Sequence, residues 1–243
     1  MPRALHRIDG EARPRDSAPP GRGFSRLFSI AVGSVAAGAV VLSLWVIRQE
    51  RIVADGDTRL ARQSDVLRRG DDYPFPPLPR LPAFAPARAR LSNALYNARA
   101  AVGAKVPARR ERLMQARADA DQASQARPRW GEAWIVKAFI IDMLNDGRFS
   151  PAQRDAISRS YYDQPFLADA GRWRVEIGLE YWERFPPRVR DRIVDETVWL
   201  LQATPPEERA PLFAMARGSR AYRAVFLRWR EVFMQWWLVQ PRP

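Results

Sequence analysis

An uncharged run of 21 residues at positions 27–47, LFSIAVGSVAAGAVVLSLWVI, lies between Arg26 and Arg48. At the rise of an α-helix it spans about 31 Å, the hydrocarbon thickness of a bilayer. The core helix of a soluble domain keeps a polar face, and this run has none. It predicts a transmembrane helix, with the rest of the chain held at a membrane surface. A cleaved signal peptide fits less well. The apolar stretch is too long, and Leu44, Trp45, Val46 and Ile47 stand where a peptidase needs small residues.

The fifteen residues on either side of the run carry four arginines each, so local charge does not orient it. Long domains cross membranes largely regardless of charge, whereas a short basic tail resists crossing. Residues 1–26 hold six Arg against three acids. The expected topology therefore puts a disordered basic tail, 1–26, in the cytoplasm and residues 48–243 outside, in the periplasm of a bacterial inner membrane. Ser29, Gly33 and Ala37 recur every four residues, beside Ser34 and Gly38. Such spacing permits close helix approach and a homo-oligomer through the membrane, although Gly and Ala are common in spans in any case.

What remains, about 195 residues, is enough for one domain with a sizeable core. The chain has no cysteine, and its one histidine is His6 in the tail. Thiol nucleophiles, thiolate metal sites and histidine general bases are thereby excluded from residues 48–243. No cofactor and no metal are expected. The net charge of +13 rests on 38 Arg and two Lys, Lys105 and Lys137, a bias that accompanies GC-rich bacterial genomes. The arginines are spread over every predicted helix, which reads as solvated faces and not as a nucleic-acid module.

Residues 58–69 predict a short helix. Residues 71–86, DDYPFPPLPRLPAFAP, hold six prolines and exclude both helix and central strand. Two arrangements fit this stretch, and a ligand for a Pro-binding module is a third reading. One is a semi-rigid spacer at about 3 Å per residue; the other is a strap packed along the domain through Tyr73, Phe75, Leu78, Leu81 and Phe84. Residues 48–86 are thus read as a juxtamembrane segment and linker, and 87–243 as the folded domain. From Arg88 onward the pattern is helical throughout: 87–102, 108–125, 130–145, 151–162, 168–184, 187–203, 206–217 and 220–238. Breaks fall at Pro107, Pro128, Gly147, Pro165, Pro186 and Pro205. The fold class is all-α, built of antiparallel helical hairpins after one transmembrane helix.

Ala116, Ala120, Ala123 and Pro128, followed by Ala133-Trp134, Ala138 and Ile141, resemble the second helix, closing proline and following first helix of a tetratricopeptide repeat. The match covers about one and a half repeats; the next hairpin, Gly147 to Pro165, departs from its spacing, and none survives beyond 166. More loosely, 128–203, running from RPRWGEAW to GRWRVEIGLEYWERFPPRVRDRIVDETVWLL, is similar to membrane-anchored helical-repeat proteins that accompany bacterial exopolysaccharide or O-antigen polymerases. The resemblance implies a solenoid-like scaffold in polysaccharide synthesis or export. Its implied partners are the lipid bilayer and other envelope proteins, a polymerase or export component among them. It carries no catalytic residues over.

Trp130, Trp134, Trp173, Trp182 and Trp199 are expected in the hairpin core, where large aromatics are most often used. The alternative is a surface that stacks on sugars or grips a peptide, with Arg172 and Arg174 beside Trp173. Glu176 and Glu180, one turn apart, are the carboxylates a glycan-acting enzyme would need, with Asp191, Asp195 and Glu196 on the next helix. In the last helix Tyr222, Phe226, Trp229, Phe233 and Trp236 form one stripe ringed by arginines. Core packing, an interfacial helix and a partner-binding stripe all fit it. The candidate partner-binding residues are therefore Trp130, Trp134, Arg172, Trp173, Arg174, Trp182, Trp229 and Trp236. The functional expectation is a non-catalytic envelope adaptor. A peptide-binding periplasmic tether and a glycan-acting enzyme are the alternatives.

Overall fold

Residue 27 onward was expected to give a helix of membrane length, and the chain forms a longer one. The computed structural model describes residues 22–70, 75–76, 78–168 and 170–239, with the side chains of 22–30 and 235–239 left aside. Helix α1 runs Arg22–Arg69. The short helix expected at 58–69 is thus its last three turns, since no proline or glycine pair interrupts 48–69. Among the described residues this is the one helix long and apolar enough to cross a membrane. Every side chain from 31 to 48 is exposed. The expected tail at 1–26 lies outside the described residues except for its last five, which belong to α1.

Two compact units divide at Arg48 and Gln49. Among the described residues, 49–70, 75–76 and 78–86 pack with the helices that follow. In the second half of α1, Gln49, Ile52, Val53, Gly56, Leu60 and Gln63 are buried or half-buried at the spacing of one helix face. Asp57 accepts from Ser92 Oγ at 2.9 Å and pairs with Arg88 at 2.8 Å. Gln63 Nε2 donates to the Tyr96 carbonyl, and Arg99 donates to Ser64 Oγ at 2.8 Å. Partner numbers rise together, so this half of α1 and helix α2 (Ala87–Ala100) run parallel.

Parallel neighbours force the chain to travel back before the second one starts, and the Pro-rich stretch makes that return. Its prolines have no N–H, and its carbonyls find side-chain donors instead. Pro76 O accepts from Tyr96 Oη, Leu78 O from Gln115 Nε2, and the carbonyls of Pro82, Ala83 and Ala85 from the Arg90 guanidinium. Phe75 meets Tyr96 edge-on, with centroids 6.1 Å apart. Of the two expected arrangements, the described residues adopt the strap. Tyr73 lies outside them.

The remaining helices are α3 (Val106–Ala126), α4 (Gly131–Leu144), α5 (Pro151–Asp163), α6 (Gly171–Glu180), α7 (Pro187–Ala203), α8 (Arg209–Gly218) and α9 (Tyr222–Val239). The helices expected at 168–184 and 206–217 each divide, with three-residue 3₁₀ turns at Trp182–Arg184 and Pro206–Glu208. No strand occurs among the described residues. Ser150 caps α5, its Oγ accepting from the Gln153 N–H, with Pro151 in the first turn.

From α2 to α5 successive helices are antiparallel. Arg112 reaches the Ala100 carbonyl while Asn93 reaches Asp119, which fixes α2 against α3. Lys137–Asp121 and Arg109–Asp146 do the same for α3 against α4. In the α4/α5 pair Gln153 donates to Asp142, and at the other end Gly131 faces Gln164. A Cβ on Gly131 would stand 2.4 Å from Gln164 Cβ, so that crossing demands glycine. Helix α7 is the centre of the second half, packed on α5, α6, α8 and α9.

Candidate functional site

The expected site residues fall into three groups, set by how their helices pack. Trp130 and Trp134 flank the α4 N-terminus, both half-buried. Trp130 donates from Nε1 to Glu132, with the Arg127 guanidinium 5.4 Å from its ring. Trp134 donates to the Pro128 carbonyl at 2.8 Å, and its ring lies within 5.0 Å of Lys137 Nζ and 4.9 Å of the Arg159 guanidinium. Each indole N–H has a partner within its own turn, and the rings pack against the core clusters. Trp173 is also half-buried, edge-on to Phe139 at 5.6 Å. Arg172 is exposed.

Arg174 is the exception, and the expectation of a surface role for it is corrected. It is fully buried, at 0% exposure, because its register (Gly171, Arg174, Val175, Gly178) is the face α6 turns to α7. Its guanidinium forms a two-pronged pair with Glu196, itself 1% exposed, with Nε to Oε2 at 2.8 Å. The other nitrogen donates to Ser160 Oγ at 2.6 Å and to the Gln164 carbonyl at 2.9 Å. Glu196 also accepts the Leu167 N–H. The Tyr161 ring lies 4.2 Å from the guanidinium, and burial, followed by the Glu196 charge, pushes its phenol well above the usual range. One ion pair thus ties α5, the 164–167 loop, α6 and α7 together. It is a structural node, out of reach of any partner. Glu196 was read with Asp191 and Asp195 as a possible acid/base carboxylate; its spacing with Ile193, Thr197 and Leu200 is the sequence signal that could have placed it on the buried face.

Glu176 and Glu180 lie on the outer side of α6, both exposed. With Tyr181, Trp182, Glu183, Arg184, Met215 and Arg220 they line an open groove of about 650 Å³ between the 3₁₀ turn and the α8–α9 connection. Glu183 there is tied to Arg220, whose hydrogen bond holds its carboxyl below the usual range. Tyr181 is pushed up by burial and by the Glu180 carboxylate. It stacks on Phe149 at 4.2 Å, so only Trp182 offers a half-exposed aromatic face here, with the Arg190 guanidinium 5.9 Å from its ring. The groove was not legible as such, because residues 214–220 reach it only through the fold. Asp195 instead pairs with Arg228 at 2.8 Å, joining α7 to α9.

Helix α9 does not bury its aromatic stripe. Ala221, Val225 and Val232, with Ala224 and Trp229, pack on the core. Tyr222, Phe226 and Phe233 stay 43%, 45% and 46% exposed. Trp229 is half-buried between Phe213, edge-on at 6.1 Å, and Phe233, stacked at 5.6 Å. The side chain of Trp236 lies outside the described residues. No group of His, Cys, Asp and Glu arranged to hold a metal occurs among the described residues. No protein-family model matches this chain, and no curated protein or solved structure matches it either.

Proposed function

We propose that the chain is a single-span inner-membrane protein whose helical domain, on the periplasmic side, is a non-catalytic adaptor in a bacterial envelope assembly, exopolysaccharide or O-antigen synthesis and export being the expected setting. The observation that carries this reading is the pair of successive antiparallel hairpins, α2/α3 and α4/α5, closed on one another through alanines. Ala116, Ala120, Ala123 and Ala138 are each at 0% exposure, and Ile141 is buried at 3%. Those are the positions at which the sequence resembles a tetratricopeptide repeat. Small residues there let helices cross closely, leaving long outer faces for partners. Residues 7–243 contain neither His nor Cys, which removes the commonest catalytic groups.

The test is affinity purification of the full chain from cross-linked membranes. Recovery of a polysaccharide polymerase or export component is expected. Recovery of unfolded clients alone overturns it in favour of a peptide-binding tether. Single-cysteine labelling, free of background in a chain without native cysteine, checks the side of the membrane. A second reading, a glycan-acting protein, is favoured only by the groove that brings Glu176, Glu180 and Trp182 together. Glycan turnover abolished by Glu176→Gln would establish it.

A further inference from the structure

We propose that the outer face of α9 docks on the surface of an anionic bilayer, a contact additional to the membrane span. Two adjacent rows of the helix make this face. One is Tyr222, Phe226 and Phe233; the other is Arg223, Leu227, Arg230 and Met234. The five apolar side chains are each between 43% and 48% exposed, with Phe213 of α8 continuing the surface at 42%. A helix at the edge of a domain ordinarily turns one apolar stripe inward and a polar face outward. Here the inward stripe is already supplied by Ala221, Val225 and Val232, and the second apolar face stays nearly half exposed. Contiguous exposed apolar surface of this kind marks an interaction site.

The charges on the face select the occupant. Arg223 and Arg230 are exposed and make no ion pair among the described residues, and neither row contains an acid. The nearest carboxylate on the helix, Glu231, lies off the face and is taken by Arg228. A second copy related by two-fold symmetry would oppose arginine with arginine, which disfavours self-association. An anionic headgroup layer meets both demands at once. Phosphates neutralise the guanidinium groups, and the aromatic and aliphatic row sinks to the acyl boundary, where amphipathic helices rich in Arg and aromatics lie. The inference rests on the reading that α1 inserts in a membrane, which tethers the rest of the chain to such a surface.

The experiment uses the full chain in vesicles, with single cysteines carrying an environment-sensitive fluorophore at Ala37, Leu227 or, as a water-exposed control on α5, Ala152. Vesicles are neutral phosphatidylcholine, or the same with about a third phosphatidylglycerol, each with and without brominated lipid. The Ala37 label quenched by brominated lipid shows insertion of α1, and without that quenching the membrane reading itself fails. With Ala37 quenched, the Leu227 label is expected to be blue-shifted and quenched in anionic vesicles and not in neutral ones, while Ala152 stays aqueous. Arg223→Gln with Arg230→Gln is expected to lower the ratio of lipid-contacting to aqueous Leu227 label by about 30-fold, from the usual contribution of a basic residue near an anionic surface. Unchanged melting of the double variant shows that the fold is intact. A Leu227 label that stays aqueous in both vesicles while Ala37 is quenched overturns the proposal. So does equal protection in both vesicles that survives the double substitution, since it would mean a protein partner or a second copy covers the face.

Discussion

The first hairpin and the α6/α7 pair hold their helices together by opposite means. Between α2 and α3 the buried apolar contact is mostly alanine: Ala94, Ala98, Ala101, Ala116, Ala120 and Ala123, with Leu91 and Leu113 the large aliphatics from the pair and Asn93, Arg90 and Asp119 a small polar cluster beside them. Between α6 and α7 a guanidinium and a carboxylate are buried together among Val175, Leu179 and Ile193. Alanine contacts gain little apolar area each but let backbones approach, so the geometry is set by what is too small to keep the helices apart. The ion pair gives little net stability once desolvation is counted, yet its hydrogen bonds accept one arrangement of four chain segments. The first region is therefore specified mainly by volume, with the Asn93, Arg90 and Asp119 cluster as its polar exception, and the second by polar complementarity.

The largest expected effect breaks the second half of that comparison. Arg174→Met or Glu196→Leu alone leaves a buried charge without its partner and is expected to cost about 3–5 kcal/mol in chemical denaturation. The double variant should recover most of the loss, because two apolar side chains of similar volume replace the pair. Failure to recover would mean that the hydrogen bonds to Ser160, Gln164 and Leu167 matter more than the charge balance. Next comes the volume rule. Ala120→Leu, at a site with 0% exposure, is expected to cost about 1–3 kcal/mol by overpacking. Gly178→Ala tests whether α6/α7 also depends on volume, since the new Cβ would stand 3.0 Å from Ile193 Cδ1. A loss in thermal stability smaller than that of Ala120→Leu is expected, because the Ile193 side chain can turn.

Asp119 sharpens the comparison from the other side, as the one acid buried in the alanine-lined hairpin. Burial raises its carboxyl above the ordinary value, against the opposing Asn93 hydrogen bond and Arg90 charge. The folded state therefore favours the protonated form. The cost of holding it ionised is complete above its raised pKa and vanishes as pH falls through that value to the ordinary one. Relative to Asp119→Asn, the wild-type chain should gain stability on going from pH 7 to pH 4, read from paired melting curves. The smallest effect belongs to the exposed Glu183–Arg220 pair, whose removal by Arg220→Ala should leave the melting temperature unmoved in physiological salt.

The alanine-built region was the more legible one. Alanine periodicity in 116–123 and the Pro128 break place both helices and their buried faces, since small residues at helical spacing leave few alternatives. The helix positions from Ala87 to Ala203 agree with the sequence pattern to within a few residues, except where 168–184 divides at Tyr181. Arg174 was misread because its neighbours Arg172, Glu176 and Glu180 are solvated, and charge alone does not separate one arginine of a cluster from the rest. Register does: Arg174 shares a face with Gly171, which leaves room for the Glu196 carboxylate, and Gly178, which leaves room for Ile193. The exposed stripe of α9 was hidden for a related reason. A helix with apolar residues on two faces offers either one to the core, and the choice belonged to α7 and α8.

The parallel course of α1 and α2 sets an order of events during synthesis. The contacts Asp57–Ser92 and Ser64–Arg99 join residues 35 apart in sequence. At ordinary translation rates the second half of α1 leaves the ribosome a few seconds, on the order of 2–7 s, before its partner helix exists. The half-turns bearing Ile52, Val53 and Leu60 must wait in that interval with their apolar side uncovered. The α2/α3 hairpin, whose contacts are local, closes sooner once it is made. A newly made chain thus carries a temporary apolar strip next in sequence to the apolar run 27–47, a natural point of contact for folding machinery before the proline strap draws the two helices together.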